Sequence, residues 1–206
     1  MKKLLNLSIY LFVVTFFQPI FCQTNTITPP NGLEYGMTYS EVKATLKSKG
    51  IKLDKPKYNK KWKLPEGFTL AKAGNYKIFD EKTFINYVCF NANGELCAFQ
   101  ITFRWFSSGE NAAGESRGNA IRFWSDEMEQ AFSVKYSGEG FVKHKDPNED
   151  GDIPIVAFRD EVGNEVAVYL IDNKVLLGHE ALLIIYYNNE EILSAKKAQL
   201  KSTDKL

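Results

Sequence analysis

The sequence predicts an α+β protein of two tandem units, each one helix packed on an antiparallel sheet. Three observations carry this. Two stretches place apolar residues at helical spacing, and a glycine stops each. A pair of strand-like stretches follows each helix, joined by a four-residue turn that starts with Asn or Asp and ends with Gly. Between the halves, residues 109–118 are rich in Ser, Gly, Asn and Ala, the composition of a linker. The expected boundaries are a first unit over 33–108, the linker over 109–118, a second unit over 119–189 and a charged tail over 190–206.

Taken in order, residues 23–32 read as a polar, Pro-containing leader. Thr38 and Glu41 have capping-box spacing, in which each side chain satisfies the other's free backbone N–H. Tyr39, Val42 and Leu46 then recur at helical spacing, and Gly50 ends the helix. Residues 52–67 read as a Lys-rich loop. Phe84–Phe90 and Leu96–Trp105 read as strands flanking Asn91-Ala92-Asn93-Gly94, where Gly94 supplies the positive φ of a tight turn. That turn predicts a register pairing Asn91 with Glu95, Cys89 with Cys97, Tyr87 with Phe99 and Ile85 with Ile101. One continuous apolar face results.

The second half repeats the plan. A helix over residues 119–136 carries Ile121, Trp124, Met128 and Phe132 on one stripe, and Gly138 ends it. Strands at 153–159 and 164–171 flank Asp160-Glu161-Val162-Gly163, pairing Phe158 with Val166 and Val156 with Val168. The stretch Ala181–Tyr187 is apolar at both odd and even positions, which predicts a central strand. Residues 190–206 predict a frayed helix or tail.

Residues 1–22 have the form of a secretion signal: Lys2 and Lys3, an apolar stretch from Leu4 to Phe17, then Ile20-Phe21-Cys22 before the polar Gln23. The apolar stretch is too short for a committed membrane span, and no later stretch is long enough. A lipid anchor on Cys22 calls for a small residue before it, and Phe21 stands there instead. The expectation is a lipid-free, secreted or periplasmic chain beginning near Gln23. Removing residues 1–22 takes away two Lys and no acid, so 26 basic and 25 acidic residues become 24 and 25, a net charge of −1. That balance gives no pull toward nucleic acid or an anionic membrane. The two remaining cysteines, Cys89 and Cys97, face each other in the predicted register, so an oxidising compartment predicts a disulfide between them. With His144 and His179 they make no zinc spacing.

The string Gly36-Met37-Thr38-Tyr39-Ser40-Glu41-Val42-Lys43 resembles the opening helix of the beta-lactamase-inhibitor-protein-like group of small bacterial envelope domains, which includes an outer-membrane assembly lipoprotein. The resemblance implies a capped helix leading into an antiparallel sheet, often in tandem, and a protein-binding role. The second half lacks a matching Gly-Met-Thr start and its helix is longer, so no inhibitor role is carried over.

Four segments invite chemistry. Asp146, Asn148, Asp150 and Asp152 alternate, with Gly151 and Ile153 following the pattern of the first half of a calcium loop; the twelfth position, normally Glu, is Ala157. The plain alternative is a solvated acidic turn. Lys60, Lys61 and Trp62 form the centre of a basic, aromatic run suited to an anionic surface, glycan or acidic partner, against the alternative of a solvated edge. Gly114-Glu115-Ser116-Arg117-Gly118 matches a nucleophile-elbow string, but no buried strand directly precedes Ser116, so the linker reading stands. His144 and His179 read as surface residues. The sequence therefore points first to a non-enzymatic binding protein with a protein or envelope partner, with no catalytic residue and no obligatory cofactor. A calcium-stabilised glycan-binding module comes second and a hydrolase third.

Overall fold

The computed structural model describes residues 26–59, 64–78, 81–104, 117–148, 151–173 and 179–203. The expected signal sequence, the Lys60–Trp62 segment, Asp150 and Ser116 lie outside the described residues. The first helix, α1 (Tyr39–Ser48), begins as predicted. Thr38 Oγ1 accepts the Glu41 N–H at 3.4 Å and Glu41 Oε2 accepts the Thr38 N–H at 2.8 Å. It ends on Gly50 at φ +73°, where the Gly50 and Ile51 N–H groups return to the Lys47 and Leu46 carbonyls. Val42 and Leu46 are fully buried.

Strands β1 (Thr69–Ala73), β4 (Ile85–Phe90) and β5 (Leu96–Arg104) follow, with a small separate pair, β2 (Lys77–Ile78) and β3 (Glu81–Lys82). Then come α2 (Arg117–Lys135), β6 (Phe141–His144), β7 (Val156–Asp160), β8 (Asn164–Asn173), β9 (His179–Asn188) and α3 (Asn189–Thr203). The fold is α+β. In place of two separate sheets, the strands form one antiparallel sheet of seven, ordered β1-β4-β5-β9-β8-β7-β6. The join is β5 against β9, paired from Ala98–Tyr187 to Arg104–Ala181. The predicted central strand is the centre: β9 is fourth of seven, and neighbours on both edges satisfy its backbone.

One sheet face carries the larger core. Phe99, Ile101, Phe158, Val166, Val168 and Ile184 pack there with Val42 and Leu46 of α1 and with Met128 and Phe132 of α2. Each such side chain contributes roughly 1.5–3 kcal/mol by leaving water. Tyr136, just past α2, sets its ring 5.1 Å from that of Phe141 and 5.4 Å from that of Phe158. Ile27 is fully buried in this same core, so the described part of the expected polar leader, residues 26–32, is part of the fold.

The second hairpin has the predicted register, Phe158 with Val166 and Val156 with Val168. The first departs from it. Phe90 pairs with Leu96, but Cys89 pairs with Ala98, Tyr87 with Gln100 and Ile85 with Thr102. Cys97 is the extra residue of a β-bulge. The physical reason lies in β4, whose residues are apolar on both sides. Adding one residue on β5 lets Val88 and Phe90 share the helix-covered face with Phe99 and Ile101, while Cys89 joins Cys97, Phe68 and Leu70 on the other.

Candidate functional site

The helices leave the two faces of the sheet unequal. α1 and α2 pack on one; among the described residues α3 is the only helix on the other, where Ile192 and Ala195 lie over the Cys89–Cys97 end. Beyond α3, alternation along the strands brings Tyr87, Gln100, Ile185 and Tyr187 to this second face, all half-buried. Register places them in line: Tyr87 beside Gln100, Gln100 beside Ile185, and Tyr187 one pleat further along β9.

A buried carboxylate anchors the β7–β8 side of this face. Glu165, 3% exposed, accepts from Arg159 Nε at 3.1 Å and Arg159 Nη2 at 2.7 Å on Oε2, and from the Tyr187 hydroxyl on Oε1. Arg159 stands directly opposite Glu165 in the ladder, so the strand register itself builds the ion pair. The Glu165 carboxylate raises the Arg159 guanidinium pKa. The Tyr187 hydroxyl is pushed far above the ordinary phenol range by burial and by its bond to Glu165. Tyr169 is pushed up to about 12 by burial, then by Glu165 and Asp152. His144, which reads as a surface residue in the sequence, is 90% buried: its side chain is 10% exposed, with Nε2 3.5 Å from Glu165 Oε2. Its Nδ1 accepts the Asp146 N–H at 3.3 Å and lies 3.2 Å from Asp146 Oδ2. Sequence reading missed Glu165 and Arg159. The available signal was a charged pair held at opposed positions on an otherwise apolar hairpin face.

This arrangement holds charge in place. Glu165 is compensated by a bidentate arginine, and the tyrosine on its other oxygen stays protonated across the biological range. It is a polar anchor beside Tyr187, at one end of the half-buried strip.

The two rims of the face differ in sign. At the β1 edge, Lys72 is exposed opposite Tyr87, and exposed Lys52, Lys55 and Lys57, with one acid, Asp54, 4.0 Å from Lys52, lie on a segment hydrogen-bonded along the outer side of β1. At the other side stand exposed Asp146 and Asp152. Here the predicted calcium residues can be placed. Asn148 N–H donates to the Asp152 carbonyl at 2.9 Å, Asn148 Oδ1 accepts the Asp152 N–H at 2.8 Å, and Gly151 sits at φ +85°. Asn148 Nδ2 donates to Asp152 Oδ2 at 3.2 Å, while the Asp146 carboxylate turns to His144. The Gly151 N–H returns to the Asn148 carbonyl at 3.0 Å, as the glycine N–H does in the other two Asn/Asp-x-x-Gly segments. Among the described residues, no three His, Cys, Asp or Glu side chains gather as a metal site.

Tyr58 and Leu64, which flank residues 60–63 in the sequence, line an open groove of about 510 Å³ with Glu66, Phe68 and Gln199. Tyr58 is 56% exposed. Cys89 and Cys97 are both buried and unbridged in this structure. No helix among the described residues is long and apolar enough to cross a membrane. No family model, curated protein or solved structure matches the chain.

Proposed function

We propose that this chain is an exported, non-enzymatic binding protein that receives a protein partner, free or part of the cell envelope, on the second face of its sheet. The observation that carries the reading is the composition of that face. Half-buried Tyr87, Ile185 and Tyr187 occupy the middle, and exposed charge of opposite sign occupies the two rims. Aromatic and aliphatic surface at the centre with charge at the periphery is how protein interfaces are built. The rims orient an incoming partner, and the centre supplies the desolvation energy. The bond to Glu165 holds the Tyr187 ring in place, so that side chain loses little entropy on binding. Export is supported by the form of residues 1–22, and the resemblance of the opening helix to envelope protein-binding domains points the same way.

The test compares three immobilised proteins in an extract of the native envelope: wild type, Tyr87→Lys on the strip, and Val134→Lys on α2, where Val134 is 70% exposed away from the face. The expected result is a partner held by wild type and Val134→Lys and lost from Tyr87→Lys, with all three melting at similar temperatures. A partner that Tyr87→Lys retains would overturn this assignment of the surface.

A further inference from the structure

The first hairpin holds a second kind of chemistry that the binding reading does not use. In the predicted register Cys89 and Cys97 face each other directly. The observed register is different: Cys89 pairs with Ala98, and Cys97 is the extra residue of the bulge. The bulge puts two consecutive residues of β5, Cys97 and Ala98, on the same sheet face, both across from Cys89. Cys97 Sγ lies 3.5 Å from the Cys89 carbonyl oxygen, and both side chains belong to one buried cluster with Phe68 and Leu70. Cys89 is 6% exposed and Cys97 fully buried. The neighbouring Cys89 side chain and burial together raise the Cys97 pKa far above the ordinary thiol range.

We propose that Cys89 and Cys97 are a disulfide-forming pair that closes across the bulge when the chain folds in the presence of a thiol–disulfide oxidant. The proposal stands apart from the partner-binding reading, and it draws on the export reading only for the compartment in which the oxidant is met. One cysteine thiolate attacks the oxidant's disulfide sulfur, forming a mixed disulfide and releasing one oxidant thiol. The second cysteine, deprotonated, then attacks the first cysteine's sulfur, the protein S–S bond forms, and the second oxidant thiol leaves. Two electrons pass to the oxidant; the two cysteine protons end on its two thiols.

Burial sets the timing. A thiol that is fully buried and held protonated is a poor nucleophile in the finished fold. α3 lies over the pair through Ile192 and Ala195, and Phe68 and Leu70 flank it. Exchange therefore belongs to the interval after the β4–β5 hairpin forms and before α3 docks. The folded, reduced protein should oxidise slowly, and the refolding protein quickly.

The experiment refolds reduced protein beginning at Gln23, which lacks Cys22, with glutathione disulfide as the oxidant, then denatures it without reductant and counts thiols with a maleimide. The expected result is a monomer with no labelled cysteine and a mass lower by two hydrogens, returning to two labels after reduction. Two free thiols, a glutathione adduct at either cysteine, or a disulfide-linked dimer would each overturn the pairing. Cys97→Ser is the internal control. It leaves Cys89 to label or to form an adduct, a readout taken in denaturant and therefore independent of whether the variant folds. A parallel count on protein taken from the host reads the compartment: closure there agrees with export. Free thiols there, beside closure in the refolding arm, would count against export while the pairing stood.

Discussion

The turns of the two hairpins share one backbone design and differ in one atom. At Asn91, Oδ1 accepts the Asn93 and Glu95 N–H groups, both at 2.9 Å. At Asp160, Oδ1 accepts the Val162 and Asn164 N–H groups at 3.1 and 2.8 Å. The second side-chain atom is a donor in one and an acceptor in the other. Asn91 Nδ2 donates to Glu95 Oε2 at 3.1 Å and to Glu191 Oε1, holding the acidic first turn of α3. Asp160 Oδ2 accepts the Ile27 N–H at 2.7 Å and Asn164 Nδ2 at 3.0 Å, holding the N-terminal segment. The turn therefore fixes one atom, and whatever must be docked against the turn selects the other. A segment that presents an N–H calls for Asp; a helix start that presents carboxylates calls for Asn.

Exchanging the two residue types breaks that logic, and the larger effect is expected at Asp160. Asp160→Asn keeps the turn's acceptor but sets an amide donor against two buried donors, Ile27 N–H and Asn164 Nδ2. Leaving such groups unpaired costs about 3 kcal/mol in total, roughly 6–12 °C in Tm for a protein of this size. Denaturant unfolding of the variant checks it; a loss below about 0.5 kcal/mol would mean the contact to Ile27 holds nothing.

Asn91→Asp is the reciprocal change and is expected to cost less, about 1–2 kcal/mol. Its new carboxylate meets Glu95 and Glu191, but these partners are less enclosed than Ile27 and can turn toward water. The signature is rescue: Glu191→Gln restores a donor and should recover most of the loss in the Asn91→Asp background. If the double variant is no more stable than the single, charge repulsion at the start of α3 is not the cause.

Much of this architecture can be read from the residues, and the parts that cannot have physical causes. The caps of α1, both hairpin turns, the second hairpin's register and the central place of β9 follow from local chemistry: Thr38 with Glu41, glycines at positive φ, and alternation on one apolar face. The first hairpin's register does not, because β4 is apolar on both faces and either register buries it. Only the packing of Val88 and Phe90 under α1 and α2 chooses, and that is a tertiary contact. The same limit hid the union of the halves into one sheet, since nothing local to β5 or β9 names its partner. The candidate face was legible only in pieces. Tyr87 and Cys89 read as core, and His144 as a surface residue beside two lysines. The Glu165–Arg159 pair is implicit in the second hairpin's register, which opposes the two residues; its closure to 2.7 Å and its bond to Tyr187 depend on packing against β9. Asp146, Asn148 and Asp152 show a further limit: alternating oxygens suit a calcium pattern and a turn closed by Asn148 alike, and local sequence does not choose between them.

The finest test of the two-turn comparison uses its glycines. Gly94 and Gly163 hold nearly the same conformation, φ +80° and +85°, and both N–H groups return to the first residue of their turns, at 3.0 and 3.1 Å. Alanine at either position pays the left-handed backbone penalty, about 1–2 kcal/mol. The surroundings differ. A Cβ at Gly94 meets nothing within 4 Å, whereas one at Gly163 comes within 2.7 Å of Glu190 Cγ. Glu190 is exposed and flexible, so it can swing aside, losing its packing on the turn and some rotamer freedom. The excess cost of Gly163→Ala over Gly94→Ala should therefore be small, about 0.5 kcal/mol, the scale of one restricted side chain. Glu190→Ala removes the obstacle, and in that background the two glycine substitutions should cost the same. Equal costs already in the wild-type background would show that α3 does not press on the second turn; a persistent excess after Glu190→Ala would place the strain in the backbone of that turn itself.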